Sequence, residues 1–285
     1  MNPPEKTGQT AVRALVLTGF GLNCDGETQY ALNKAGAAAE RVHLNEIISL
    51  SRLGDGLAPY HILAIGGGFS WADDHGAGVL LGLKLKSHLG EQLDEFIRDG
   101  KLVLGICNGF QALVNMGLLP GFDEDCSTRS VAITANDCGN FRDDWIHLTA
   151  DPASKSIVTK GLTGLDLPVR HGEGKFYSSP EVINRLKESG QVALRYAYPD
   201  YSPANGEFPY NPNGSLDDIA GICDQTGRIF GLMPHPEAFH HLTNHPLWTR
   251  KMDQLKRGGH KPETMNGQGL LIFQNAVEYV RKNLI

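Results

Sequence analysis

The chain has no basic run longer than Lys256-Arg257 and its neighbours, and its formal net charge is -6. It therefore lacks the cationic surface that nucleic acid or an anionic membrane would demand. No stretch approaches the roughly 18 apolar residues of a membrane span. Cysteine is sparse: five residues, at 24, 107, 126, 138 and 223, odd in number, widely spaced and without a CxxC. That usage speaks against a disulfide framework and predicts reduced thiols in a cytoplasmic protein. Neither GxGxxG nor Gly-Lys-Ser/Thr occurs, so the common phosphate cradles are set aside. No internal repeat is present. Residues 1–12 carry Pro3-Pro4 and no apolar h-region, and are expected to be a disordered lead-in rather than a signal peptide; Asn23 is a poor residue before Cys24 for a lipoprotein site.

What is present looks like an enzyme of alternating strands and helices: 285 residues, 34 glycines and 41% hydrophobic residues. Ala14–Thr18 reads as a short apolar strand, 27–38 as a helix, 39–44 as a strand and 61–65 as a third strand entering Gly66-Gly67-Gly68. An amphipathic helix over 78–98 then leads to the apolar run Leu102–Ile106. Four such alternations predict a three-layer αβα fold with a mainly parallel central sheet. After Pro120 the strands become short and irregular (130–135, 145–149, 167–169, 191–196, 219–223, 228–233) and are expected to extend that sheet as mixed or antiparallel strands. A turn-rich loop over 198–218 lies between them, and a final helix over 270–281 should dock on the sheet. No composition break divides 13–285, which is read as a single domain.

The strand at 102–106 runs into a helix with almost no loop, through Gly105-Ile-Cys107-Asn-Gly109. Small residues two places either side of a cysteine are the pattern of a nucleophile elbow, in which a sharp turn lifts the side chain out of the sheet. The helix N-terminus there favours thiolate over thiol. Taken alone, the elbow leaves open that Cys107 is a small buried hydrophobe. Met233-Pro-His235-Pro-Glu237 supplies a base and an orienting acid: the two prolines predict an extended segment in which His235 and Glu237 share a face. A thiol adding to a carbonyl needs donors for the oxyanion, expected from the amides of Asn108 and of Gly68 or its neighbour. No metal site is expected. His240, His241 and His245 come without a carboxylate or cysteine cluster, and Cys24, Cys126, Cys138 and Cys223 are read as structural.

Gly105-x-Cys107-x-Gly109-x-Gln111 with a distant His235-x-Glu237 resembles the class I, or triad, glutamine amidotransferases, whose fold is flavodoxin-like. Gly67-Gly-Phe-Ser70, Leu118-Leu-Pro-Gly121, His171-Gly-Glu-Gly-Lys-Phe176 and Asn211-Pro-Asn-Gly-Ser215 narrow the likeness to glutaminase subunits of phosphoribosylformylglycinamidine synthase, the PurQ type, from about Ala14 to Val280. The resemblance implies hydrolysis of L-glutamine through a Cys107 thioester, with His235 as base and then acid and Glu237 as its orienter. It implies ammonia transfer to an ATP-dependent synthetase subunit of PurL type, assisted by a small PurS-type subunit, in purine biosynthesis. No cofactor is implied for this subunit, since ATP and magnesium act on the synthetase. Gln111, Asn136 and Phe141 are implied to contact glutamine; His171 and Glu173 are read as interface or structural residues. The chain departs from the family pattern at Trp71, Gly76, Cys138 and Asn140, which bears on partner contacts and glutamine positioning. The competing readings are another class I amidotransferase, a stand-alone γ-glutamyl hydrolase, or a catalytically silent binding module.

Overall fold

The computed structural model describes residues 11–54, 56–122, 128–259 and 265–285. Most of the expected lead-in, like Cys126, lies outside these residues. Val12 does not behave as a lead-in: it is buried, and its carbonyl accepts the Ala38 N–H at 2.7 Å.

Five strands form the parallel part of one nine-stranded sheet: β1 (Arg13–Thr18), β2 (Ala38–His43), β3 (Ile62–Ile65), β4 (Leu102–Ile106) and β11 (Ile229–Leu232), in the order β2-β1-β3-β4-β11. Every residue of β3, β4 and β11 is buried, as expected where both faces of a parallel sheet are covered. The chain moves one way from β1 to β2 and the other way from β3 to β4. Right-handed crossovers therefore put α1 (Asp25–Lys34) on one face and α3 (Val79–Arg98) on the other. Accordingly α7 (Leu270–Asn283) packs with α1, while α2 (Leu44–Arg52) and α4 (Asn108–Met116) pack with α3. On α3 the buried residues Leu81, Leu85, Leu89, Leu93 and Phe96 recur at helical spacing and form one stripe.

Beyond β11 the sheet continues antiparallel through β10 (Ile219–Cys223), β9 (Val192–Ala197), β6 (Arg142–Ala150) and β7 (Gly164–His171). The expected extension of the sheet is thus present with one exception. The segment read as a strand at 130–135 becomes β5 (Ala132–Ala135), which leaves the main sheet to pair with β8 (Glu173–Tyr177).

Other boundaries differ for local reasons. The helix read as 27–38 stops at Lys34, because Gly36 turns the chain at φ 99° and Ala38 already pairs with Arg13. The helices α2, α5 (Pro180–Glu188) and α6 (Trp248–Arg257) fall where the sequence pattern predicts no helix. The 198–218 loop is held instead by side chains. Buried Asn211 bonds Ser215 and Asp218, and buried Asn213 donates to the Gly174 carbonyl and the Tyr196 hydroxyl.

In open sheets of this kind ligands bind beyond the carboxyl ends of the strands, where the strand order reverses. That point here is the gap between β1 and β3, and β4 stands next to it. The turns after these three strands carry Asn23-Cys24, Gly66-Gly67-Gly68 and Cys107.

Candidate active site

Cys107 sits between β4 and α4 at φ 51° and ψ −107°, a conformation that non-glycine residues rarely adopt. It is held there from both sides: its N–H donates to the Leu232 carbonyl at 2.7 Å, and its carbonyl accepts the Gln111 N–H at 3.1 Å. The flanking glycines leave room for the turn. A Cβ on Gly109 would stand 2.0 Å from the Ile65 carbonyl oxygen, and one on Gly105 would meet Leu113 at 2.6 Å and the Gly109 backbone at 2.9 Å. The nucleophile elbow read from the sequence is therefore built, with a buried sulfur 3.7 Å from the Arg170 carbonyl oxygen.

The base is anchored from the other half of the molecule. The His235 N–H donates to the Pro168 carbonyl of β7 at 2.8 Å, and the Met233 N–H to Ala220 of β10 at 3.0 Å. His235 Nδ1 lies 2.6 Å from Glu237 Oε1, and both side chains are at most 2% exposed. This contact is reached differently from the expected extended strand. The backbone is extended at His235, but Pro236–Ala238 form a 3-10 turn that brings Glu237 back under the imidazole. Burial works against a charge on His235, yet the Glu237 carboxylate and the Cys107 sulfur outweigh it and hold the imidazole well above its ordinary basicity. Nε2 of His235 is buried with no hydrogen-bond partner among the described residues. A Cβ on Gly67 would stand 2.6 Å from His235 Cε1 and 3.4 Å from Cys107 Cβ, so the imidazole and the cysteine flank the same bare Cα.

That contact moves the close approach from Gly68 to Gly67. The Gly67 carbonyl accepts the N–H groups of Asn23 and Cys24. In a trans peptide the Gly68 N–H points the opposite way from that carbonyl, away from the 23–24 turn. Asn108 opens α4, and its amide is one of the four that a helix leaves without an internal partner. These are the two amides expected to face an oxyanion.

The residues read as glutamine contacts divide. Gln111 is buried and committed at both ends: Nε2 donates to the Glu173 carbonyl at 2.6 Å and Oε1 accepts from Asn108 Nδ2 at 3.0 Å. Asn136 is likewise used up, donating to the carbonyls of Asn140 and His171 and accepting from the Gly174 N–H. Both side chains fix neighbouring backbone rather than present a free polar atom. Phe141 is half exposed, with its ring centroid 6.1 Å from that of Phe69, at the rim.

His171 is buried, which rules out a surface contact for its side chain; burial and the nearby charge of His235 push its imidazole down to about 3. The Glu173 side chain accepts the Ala77 N–H. At the variant positions, Trp71 stacks on Phe20 at 4.4 Å and Cys138 bonds within its own turn to Asn140. His240, His241 and His245 engage Tyr30, Thr243 and Asp166 respectively, and do not converge.

One residue at the site was given a structural role on sequence and stands elsewhere. Cys24 Sγ lies 3.9 Å from His235 Nδ1. The available signal was positional: the Asn23-Cys24-Asp25 turn falls at the carboxyl end of β1, beside the triple glycine.

Residues 11–280 match the model of the CobB/CobQ-like glutamine amidotransferase domain. The chain is 42% identical to phosphoribosylformylglycinamidine synthase subunit PurQ of Methanococcus maripaludis over 95% of its own length and 98% of that protein's. It is 44% identical to the protein of that name from Dehalococcoides mccartyi, over 95% and 98%. Among solved structures it resembles a chain of PurLQS from Thermotoga maritima, with a TM-score of 0.66 and 26% identity over 95% of this chain and all of that one. With an elbow cysteine, a buried His-Glu pair and likeness over nearly the whole length, the chain belongs to the glutamine amidotransferase family, in the branch of the PurQ subunits of phosphoribosylformylglycinamidine synthase.

Proposed function

We propose that the chain is the glutaminase subunit of phosphoribosylformylglycinamidine synthase, working in the cytoplasm as one domain over residues 13–285 and delivering ammonia to a synthetase subunit in purine biosynthesis. The buried contact of His235 with Glu237 beside the elbow cysteine carries this reading. A raised imidazole basicity equips His235 to take the proton of the attacking Cys107.

The Cys107 sulfur attacks the γ-carboxamide carbon of glutamine, forming a C–S bond and moving the carbonyl π pair onto oxygen, where the amides of Asn108 and Gly68 receive it. One such donor contributes on the order of 3 kcal/mol in the transition state. Collapse breaks the C–N bond as His235 gives its proton to nitrogen, and ammonia leaves. Water then attacks the thioester with His235 taking its proton, and glutamate departs as Cys107 is restored. Glu237 holds the imidazole orientation through both halves. Asn108, Gln111 and Asn136 position backbone around the substrate, and Phe141 covers its rim. No cofactor of this subunit takes part; ATP and magnesium act on the synthetase, which a small third subunit assists.

The test is the reconstituted complex with Cys107→Ala. Glutamine-dependent amidine formation should vanish while ammonia-dependent formation persists. Equal loss of both activities would refute the division of labour, and glutamine hydrolysis indifferent to the synthetase would favour a stand-alone γ-glutamyl hydrolase.

A further inference from the structure

Among the described residues, one group of three metal-ligating side chains has its ligand atoms within 4.8 Å of one another: Cys24, His235 and Glu237. The triad uses two of these residues, and Cys24 has no part in the chemistry above. Its sulfur faces the Nδ1 side of the imidazole at 3.9 Å, opposite in role to the Nε2 side that serves Cys107. Glu237 reaches Nδ1 through Oε1, while its Oε2 is buried with no hydrogen-bond partner among the described residues. A buried carboxylate oxygen without a hydrogen bond is costly and leaves its lone pairs available to a cation. A bare Cα keeps the spot open: a Cβ on Gly67 would come within 3.2 Å of Cys24 Sγ.

We infer that Cys24, His235 Nδ1 and Glu237 form an inhibitory site for a zinc-like divalent cation. One thiolate, one imidazole and one carboxylate suit zinc, with a fourth position left to water. Bond lengths of about 2.0–2.3 Å place such ligand atoms roughly 3.5 Å apart. The Cys24 separation is close to that, and the His235–Glu237 contact has to open by less than 1 Å or so to match it. Coordination replaces the protons on the Cys24 thiol and on Nδ1, so the neutral imidazole carries its single proton on Nε2. That nitrogen has to give and take protons in turn, and a ring held on the metal keeps its Nε2 proton. An ion bound here switches off the base without touching the nucleophile, and a chelator restores it.

The test uses the full chain and separates binding from turnover. Cobalt(II), a visible reporter of tetrahedral sites, is titrated into Cys107→Ala, which lacks the competing nucleophile sulfur. One equivalent should bind with thiolate charge-transfer and tetrahedral bands, and zinc should displace it. The Cys107→Ala/Cys24→Ser double variant should lose the charge-transfer band and bind at least about tenfold more weakly. In the enzyme with Cys107 intact, Cys24→Ser should keep basal glutaminase activity and raise the half-inhibiting zinc concentration by a similar factor. Unchanged cobalt spectra in the double variant, or no binding to Cys107→Ala, would overturn the site. The binding arm does not depend on what the enzyme hydrolyses.

Discussion

The two halves of the site are held in place by different physics. Cys107, the glycines around it and the parallel strands β1, β3 and β4 are fixed by backbone ladders and by apolar side chains with almost no exposure. His235 and Glu237 belong to a half whose buried residues include Asp166, His171, Asn211, Asn213, Ser215 and Asp218, each tied by side-chain hydrogen bonds. The nucleophile is placed by what is missing, since neither Gly105 nor Gly109 could carry a Cβ without meeting backbone or a core leucine. The base is placed by partners. A polar framework is satisfied only in one arrangement, so it specifies geometry more sharply than apolar packing does, and a lost partner leaves an unmatched buried group.

The contrast is broken most severely at its centre. Glu237→Gln keeps an acceptor for Nδ1 but removes the charge that offsets the burial of His235. Glutaminase kcat should fall by roughly 10²- to 10⁴-fold with the fold intact. The imidazole's pKa is raised in the native enzyme, so the proton that His235 holds is lost only as pH rises above the ordinary histidine range. In the variant the alkaline limb of kcat/KM should move to lower pH. A pH profile that does not move would show that the carboxylate does not set the base.

Gly67→Ala probes the seam between the halves. Its Cβ would stand 2.6 Å from His235 Cε1, and a displacement of the ring by about 1 Å is enough to cost on the order of 10²-fold in kcat. Unfolding in urea should shift far less than for Gly109→Ala, whose Cβ would collide with the Ile65 carbonyl at 2.0 Å. Wild-type turnover in Gly67→Ala would mean that the ring moves freely, and the seam would lose its meaning.

Asn213→Ala sharpens the comparison within stability. It takes the Asn213 donor from the buried Tyr196 hydroxyl and from the Gly174 carbonyl, which keeps only a 3.5 Å contact with the Ser215 hydroxyl, and should cost about 2–4 kcal/mol. Leu104→Ala in the parallel half should cost a similar 2–5 kcal/mol by cavity formation. The two should differ in function: Asn213→Ala frees the Gly174 turn beside His171 and raises KM for glutamine, whereas Leu104→Ala lowers stability with little change in KM. Equal effects on KM would erase the distinction.

The same division decides what could be read in advance. The parallel half is legible because runs such as Ile62–Ile65 are apolar throughout and lead into glycine. The helix α2 escaped because no loop separates it from β2: His43 ends the strand and its ring caps the helix, accepting the Asn45 N–H at 3.1 Å. The strand β8 was hidden inside His171–Phe176, where glycine and charge carry no alternation. The pairing of Glu237 with His235 is legible but its geometry is not, since local proline rules stop at His235 and do not reveal the turn after it. The commitments of Gln111 and Asn136 depend on Glu173, Asn140 and Gly174, which only the folded chain brings together. Cys24 was legible as a position in the sheet but not as a neighbour of His235, 211 residues away.

The smallest effect belongs to Asp73, where the two modes meet. It lies in a turn with φ 56° and accepts from Asn108 Nδ2 at 3.0 Å. Burial lifts its carboxyl to about 6; the Asn108 hydrogen bond opposes this and the charge of Glu173 adds to it. A carboxyl raised in the folded state binds its proton more tightly there than in the unfolded chain, so stability falls as pH rises from about 4 to about 6 and is level above. Asp73→Asn keeps the acceptor and removes the charge. After allowance for partial exposure, the variant should gain about 1 kcal/mol over wild type at pH 8, and the gap should shrink at pH 5. Urea unfolding at the two pH values reads the difference directly. A gap that stays constant with pH would mean that the charge is already screened by solvent and that Asn108 alone holds this edge of the elbow.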